Sequence, residues 1–360
     1  MRSPIACAIR WAEARSAGGL ARNANNSPEG ARSLAAALYR DHDGSLLDGP
    51  GSLLGGAGGP VGDSDPSSGQ RGQGTARKTV REIAMADIRV DTGAHCVRAP
   101  STFSLDRVDS SYAPEGLDKE EAKEQTKRNR DRFAELQEVL FAEGRQALLI
   151  ILQAMDTGGK DSTIRKVTRG VNPQGFQIFG FKKPSEWELA HDFLWRVHRR
   201  APAKGRIGIF NRSHYEDVLI VRVHEWASAE VIEQRYRQIN DFERLLSEDG
   251  TRILKIMLHI SKDYQAERLR RRLRYPDKHW KFNPGDLKER ALWPKYMDAF
   301  EAAIRRCSTG IAPWFVIPAE RRWYRNIAIS QLIVDTLEDM APRFPEPDYD
   351  PADYPPESIQ

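Results

Sequence analysis

Cysteine is scarce: Cys7, Cys96 and Cys307 are the three among 360 residues. They are far apart, form no CxxC pair and are odd in number, which speaks against a disulfide scaffold or a thiolate zinc site and fits a reducing compartment. Long apolar runs are missing as well. The opening residues lack a continuous apolar stretch with a cleavage site, and no later run is long enough to cross a bilayer. Neither export nor membrane insertion is expected, and the expected location is cytoplasmic. Charge of one sign does not dominate. With 55 Lys and Arg against 51 Asp and Glu, the formal net charge is +4 and the pI near 8.9. That leans toward polyanionic partners, although an ordinary solvated surface carries such a charge too. His191, His198, His214, His224 and His259 form neither HExxH nor another compact metal-ligand pattern, and there is no GxSxG elbow. No internal repeat points to two equal catalytic domains.

What is present divides the chain into four stretches. Residues 1–84 read as a disordered low-complexity extension, because Gly44 to Gly74 is mostly Gly, Ser, Asp and Pro and offers little apolar surface to offset ordering. Met85 precedes the first patterned sequence, so the upstream part is also consistent with a mis-chosen start. Residues 85–145 form an N-terminal extension and a leading amphipathic helix from Lys119 to Glu143, with Phe133, Leu136, Val139 and Leu140 at helical spacing. Residues 146–340 are the core. Its apolar segments at 146–154, 206–211, 252–260 and 313–319, with a shorter one at 176–181, alternate with helical patterns at 161–169, 185–198, 227–246, 264–273, 287–306 and 322–340. That order predicts an α/β fold, a three-layer α/β/α domain on a mainly parallel sheet. Residues 341–360 are a Pro-rich acidic tail.

Two strand ends carry polar clusters. In "LQAMDTGGKDSTIRK" the turn Gly158-Gly159-Lys160 lies between a buried strand and a helix, where backbone N–H groups and a helix N-terminus favour phosphate. It is not a standard Walker A sequence, since Ala154 stands where the first Gly belongs and Asp161 replaces Ser or Thr. Asp156 and Asp161 beside phosphates call for a divalent cation, magnesium being the natural one; alternatively they cap the turn and the helix. In "IGIFNRSHYEDVLIVRVH", Asn211 could support a metal-bound water, Arg212 could clamp a phosphoryl group, and Glu216 or Asp217 could serve the metal or the acceptor; otherwise the Asn-Arg-Ser is a plain turn. Between them lies a basic segment at about 182–205 with Lys182, Lys183, Arg196 and Arg199, whose Trp187, Phe193 and Leu194 could pack its other side. Arg165 and Arg169 add a basic face after the loop. A later cluster around Arg270, Arg271, Arg272 and Arg274, with Trp280, suits the same polyanion channel or an oligomer contact better than nucleic acid.

Together "AMDTGGKD", "FKKPSEWELAHDFLWRVH", "FNRSHYEDVLIVRVH" and "WFVIPAERRWYRN" resemble the polyphosphate kinase 2 family, in its one-domain members that act on AMP and/or ADP. The resemblance spans about Leu117 to Met340 and implies a P-loop kinase-like domain with a helical basic lid. It implies that Asp156, Lys160 and Asp161 form a modified Walker A site, with Gly158 and Gly159, and that Asn211 and Arg212 occupy the Walker B region. Lys182, Lys183, Arg196 and Arg199 would belong to the lid, Glu216 to the acceptor side, and Arg165 and Arg169 to the phosphate channel. Asp156, Lys160 and Arg212 would be catalytic, with Mg2+ at Asp156. Many relatives carry Asp where this chain has Asn211, which would shift magnesium toward Asp156 or water. The implied activity is reversible in-line transfer between polyphosphate and AMP, ADP and ATP, by a homo-oligomeric dimer or tetramer. Two other readings stay open: an ATP-dependent P-loop nucleotide or small-molecule kinase, and a non-catalytic polyphosphate- or nucleic-acid-binding protein. If translation starts at Met85, mass spectra of the native protein will contain no peptides from residues 1–84; finding them excludes that start.

Overall fold

Each apolar segment becomes a strand in the computed structural model, which describes residues 87–359. The readings for residues 1–84 and for Met85 lie outside the described residues. The strands are β1 (Ala147–Gln153), β2 (Phe176–Gly180), β3 (Ile207–Asn211), β4 (Thr251–His259) and β5 (Trp314–Pro318). They pair in parallel in the order β2-β3-β1-β4-β5. β1 is buried along its whole length, as a central strand covered on both faces must be. β2 is an edge strand with Ile178 exposed.

Connection geometry places the helices. The main ones are α1 (Lys119–Glu143), α2 (Lys160–Val167), α3 (Glu186–Leu189), α4 (Trp195–His198), α5 (Ile220–Val223), α6 (Ala229–Glu248), α7 (Lys262–Arg274), α8 (Gly285–Ala291), α9 (Trp293–Cys307) and α10 (Arg322–Met340). From β1 the chain crosses by α2 toward β2, whereas from β3 it crosses by α6 in the opposite direction to β4. Right-handed crossovers then put α2 and α6 on opposite faces. Contacts agree: α10 packs on α1 and α2, while α9 packs on α5 and α6. The three-layer α/β/α expectation is met. Because the chain leaves the adjacent strands β1 and β3 toward opposite faces, a crevice opens between their carboxyl ends.

Side chains set the helix limits. Asp118 caps α1 by accepting from the amides of Glu120 and Glu121, and Gly144, at φ +64°, ends it. Ser228 and Ser261 cap α6 and α7 in the same way. Two expected helices are each broken in two. The helix expected over 185–198 is interrupted because the Asp192 carboxylate captures the amides of Leu194 and Trp195 and starts a new turn. The one expected over 287–306 stops before Trp293, since Pro294 has no N–H to continue it. Trp187 does not pack inward as expected. It is 66% exposed, whereas Phe193 and Leu194 do pack against the core.

The core on the α6 side contains an ion pair. Lys255 on β4 is fully buried and its Nζ donates to Glu243 Oε2 at 2.5 Å, to the Cys307 carbonyl at 2.6 Å and to the Tyr215 hydroxyl at 2.9 Å. The Tyr215 hydroxyl donates to Glu243 Oε1 at 2.8 Å, and His214 Nε2 lies 3.3 Å from the same oxygen. Burial alone would raise the Glu243 pKa, but Lys255 and His214 outweigh it and hold the carboxyl below its usual value. Burial holds His214 below its usual value and Tyr215 well above. Lys255→Met strands the Glu243 carboxylate and should lower unfolding free energy by about 3–5 kcal/mol in urea titrations; a double variant with Glu243→Leu should recover part of that loss.

Candidate active site

β1 delivers the chain into the loop 154–159, and α2 starts at Lys160. The loop is tight. Gly158 N donates to the Met155 carbonyl at 3.0 Å, and a Cβ on Gly158 would sit 2.7 Å from the Ala154 Cβ. Gly159 stands at φ +97°, where a Cβ would run into the Arg325 guanidinium. Thr157, though β-branched, is at φ +65°, a conformation that persists only where the surroundings impose it. Lys160 turns back over the loop, its Nζ donating to the Ala154 carbonyl at 2.7 Å. Burial, and then the neighbouring Arg212, pull its pKa below the usual lysine value.

β3 delivers the second cluster beside the first. Arg212 continues the ladder through its N–H to the Leu152 carbonyl at 3.1 Å and then leaves it at φ +64°. Its Nη2 donates to Asp156 Oδ1 at 2.8 Å. Burial opposes its charge, but Glu216 and Asp156 outweigh that and raise its pKa. Asn211 Nδ2 donates to Asp161 Oδ1 at 2.6 Å, so the position read as Walker B is tied to the start of α2. Glu216 lies on the 3-10 turn His214–Asp217. Burial raises its pKa against the pull of Arg212 and Lys160. With its amide nitrogen turned to Glu216 Oε1 at 3.1 Å, Gln153 accepts from Ser213 and couples the ends of β1 and β3.

Asp156, Gly158, Gly159, Lys160, Asp161, Lys182, Asn211 and Arg212 thus surround one cavity of about 490 Å3. Glu216 faces a smaller one that shares Asp156 and Arg212 with it. The remaining expected residues stand apart. Lys183 is exposed. Arg196 is buried, donates to the Lys182 carbonyl at 2.9 Å and lies over Phe181, so it braces the root of the basic segment. Arg199 lies over Trp195 at 4.7 Å in a separate hollow. Arg165 and Arg169 line another basic hollow with Arg321 and Arg322, which shares Ser162 of α2 with the large cavity.

The far wall of the large cavity comes from Arg268, Arg271, Arg272, Lys278 and Lys281. Arg268, Arg271 and Arg272 stand at i, i+3 and i+4 on α7, a single-face spacing already visible in the sequence. Arg325 had no such signal. It is buried, donates to Ser162 Oγ at 3.3 Å beneath the loop, and burial lowers its pKa to about 10. Among the described residues no group of three or more His, Cys, Asp or Glu could hold a metal by itself. Asp156 and Asp161 offer two carboxylates at the cavity mouth. Such an oxygen-only pair fits magnesium, which keeps waters and takes its other ligands from bound phosphates.

Residues 116–345 match the sequence model of the family described as Polyphosphate kinase 2. The chain is 55% identical over 217 residues to an AMP/ADP-polyphosphate phosphotransferase of Meiothermus ruber, covering 60% of this chain and 81% of that protein. It is 46% identical over 228 residues to an ADP-polyphosphate phosphotransferase of Rhodopseudomonas palustris, covering 60% and 79%. A crystal structure of Polyphosphate Kinase 2 from Arthrobacter aurescens TC1 aligns with a TM-score of 0.69 at 50% identity, over 70% of this chain and 91% of that one. No helix among the described residues is long and apolar enough to cross a membrane.

Gly159→Ala should lower unfolding free energy by about 1–3 kcal/mol in denaturant titrations, because φ is unfavourable and buried Arg325 has little room to move. Burial raises the Asp217 pKa from 3.8 to about 6, against Arg235 and Arg196. The folded chain therefore holds that proton more tightly than the unfolded one. The group's contribution is full below pH 3.8 and is lost as pH rises through about 6. Asp217→Asn should flatten this segment of the stability–pH curve by on the order of 2 kcal/mol.

Proposed function

The chain belongs to the polyphosphate kinase 2 family, and from that premise we propose that it moves a phosphoryl group between inorganic polyphosphate and AMP and/or ADP. The observation that carries this reading is the convergence of Lys160, Arg212 and Asp156 at the crevice between β1 and β3, beside a cavity walled by Arg and Lys. An oxygen of the acceptor's terminal phosphate attacks the end phosphorus of polyphosphate. The bridging P–O bond breaks, and the donor leaves one phosphate shorter. Little covalent chemistry is asked of the protein, so positioning and charge stabilisation supply the rate. Lys160 and Arg212 offset charge on the transferred group, and the loop amides around Gly158 and Gly159 orient its oxygens as a modified Walker A P-loop. Asp156 holds Arg212 in place and, with Asp161, would hold Mg2+, which when bound would supply charge that neutralises the phosphates. Lys182 at the root of the basic lid, with Arg268, Arg271 and Arg272, holds the donor chain. The reaction runs both ways, ATP being the product from ADP and a donor in reverse. Action in the cytoplasm as a homo-oligomer belongs to the same proposal.

A magnesium-dependent time course with polyphosphate, AMP and ADP supplied separately, resolves the acceptor by which of ADP and ATP appears. Lys160→Ala should lower kcat at least about 100-fold, and Arg212→Lys at least about tenfold. Full turnover by Lys160→Ala, with only polyanion affinity reduced, overturns the catalytic assignment.

A further inference from the structure

Two cavities meet at Asp156 and Arg212, and their walls carry opposite charge. The larger is cationic, as described. The smaller, about 220 Å3, presents Glu216, Asp286 and Glu289 with Asn283 and Tyr296, against apolar walls from Met155, Leu219, Ile220 and Phe300. Two ion pairs form the partition. One is Arg212 with Asp156 at 2.8 Å; the other joins Arg272 of the larger cavity to Asp286 of the smaller at 2.9 Å. Phosphate is drawn to one side of this wall and repelled from the other.

Resting on the phosphotransferase reading, we propose that the acidic cavity takes the ribose of the acceptor nucleotide, with Asp286 and Glu289 as the residues that select it. With AMP the sugar is the first group after the phosphate clamped by Arg212, with ADP it follows one phosphate further on, and the cavity begins at Arg212 and Asp156. Its volume is below the roughly 300–1,000 Å3 of pockets that enclose whole drug-sized ligands, and suits a pentose. Its chemistry fits too, since ribose hydroxyls donate and ionised carboxylates only accept. Asp286 is nine-tenths buried and spends Oδ2 on Arg272. Glu289 spends Oε2 on the Tyr296 hydroxyl at 2.6 Å and on His224 at 2.9 Å. Among the described residues, Asp286 Oδ1 and Glu289 Oε1 have no side-chain partner, while the bonds at the other oxygens fix both carboxylates.

The test uses wild-type protein, polyphosphate, magnesium and whichever of AMP or ADP turns over, alongside its 2′-deoxy and 3′-deoxy forms. Loss of one hydroxyl should lower kcat/KM by about tenfold or more, as expected for a bond to a charged acceptor. Asp286→Asn and Glu289→Gln keep shape and should shrink that preference toward unity, mainly through KM for the ribonucleotide. Equal use of ribo- and deoxynucleotides by the wild type overturns the proposal, and so does an undiminished preference in both variants. Absence of turnover with every nucleotide instead removes the phosphotransferase reading and this inference with it.

Discussion

A lysine ammonium with no access to water, on a strand in the middle of the sheet, has to be neutralised where it stands. Lys255 finds Glu243 on α6, and the pair draws in the Tyr215 hydroxyl and His214 from the turn after β3. Charges buried in this way need good geometry and filled hydrogen-bonding positions, or their desolvation is not offset. The turn that follows Arg212 is thereby fastened to two other elements from behind. Arg212 and Glu216, on either side of Tyr215, then face the crevice in fixed positions. Rigid support beneath a strained arginine is what a site working by positioning requires.

In front of that support, charge is sorted rather than merely accumulated. Lys160, Arg268, Arg271 and Arg272 would repel one another in an empty cavity, and burial pulls Lys160 below its usual pKa. Asp156 and Asp161 restrain this, since both carboxylates favour the charged Lys160 against its burial. On the proposed function, a polyanionic donor entering the cationic side would relieve the remaining repulsion, so the energy of charge concentration would be released on binding. The carboxylates across the Arg272–Asp286 wall oppose a phosphate that passes too far. Orientation thus follows from the sign of each wall as much as from any one contact.

Local pattern made much of this legible. The alternation of apolar runs and helical periods located every strand among the described residues, and α1 was read to its end residues from Lys119 to Glu143. The loop from Asp156 to Asp161 and the Asn211-Arg212 pair were found because polar residues break out where buried strands end. Helix interruptions were missed at Asp192 and Pro294, where one side chain or one absent N–H overrides periodicity. Arg196 looked like a lid cation but is turned inward under Lys182, because a charge reads alike in sequence whichever way its side chain points. Arg325 was passed over for the converse reason, since nothing near it in the chain shows that it lies under Gly159.

By itself the sequence determined the α/β class, the positions of the strands, the place of the two polar clusters and the family to which they belong. All of these are written in contiguous residues, through hydrophobic period, glycine placement and charge. Tertiary structure alone decided that β1 and β3 are neighbours, that Arg212 pairs with Asp156 across 56 positions of chain, and that α7 supplies the opposite wall. It also decided which cations face the cavity and which brace it. Strand order and side-chain direction depend on contacts between residues distant in the chain, so they are fixed only when the sheet and its two helical layers close around one core.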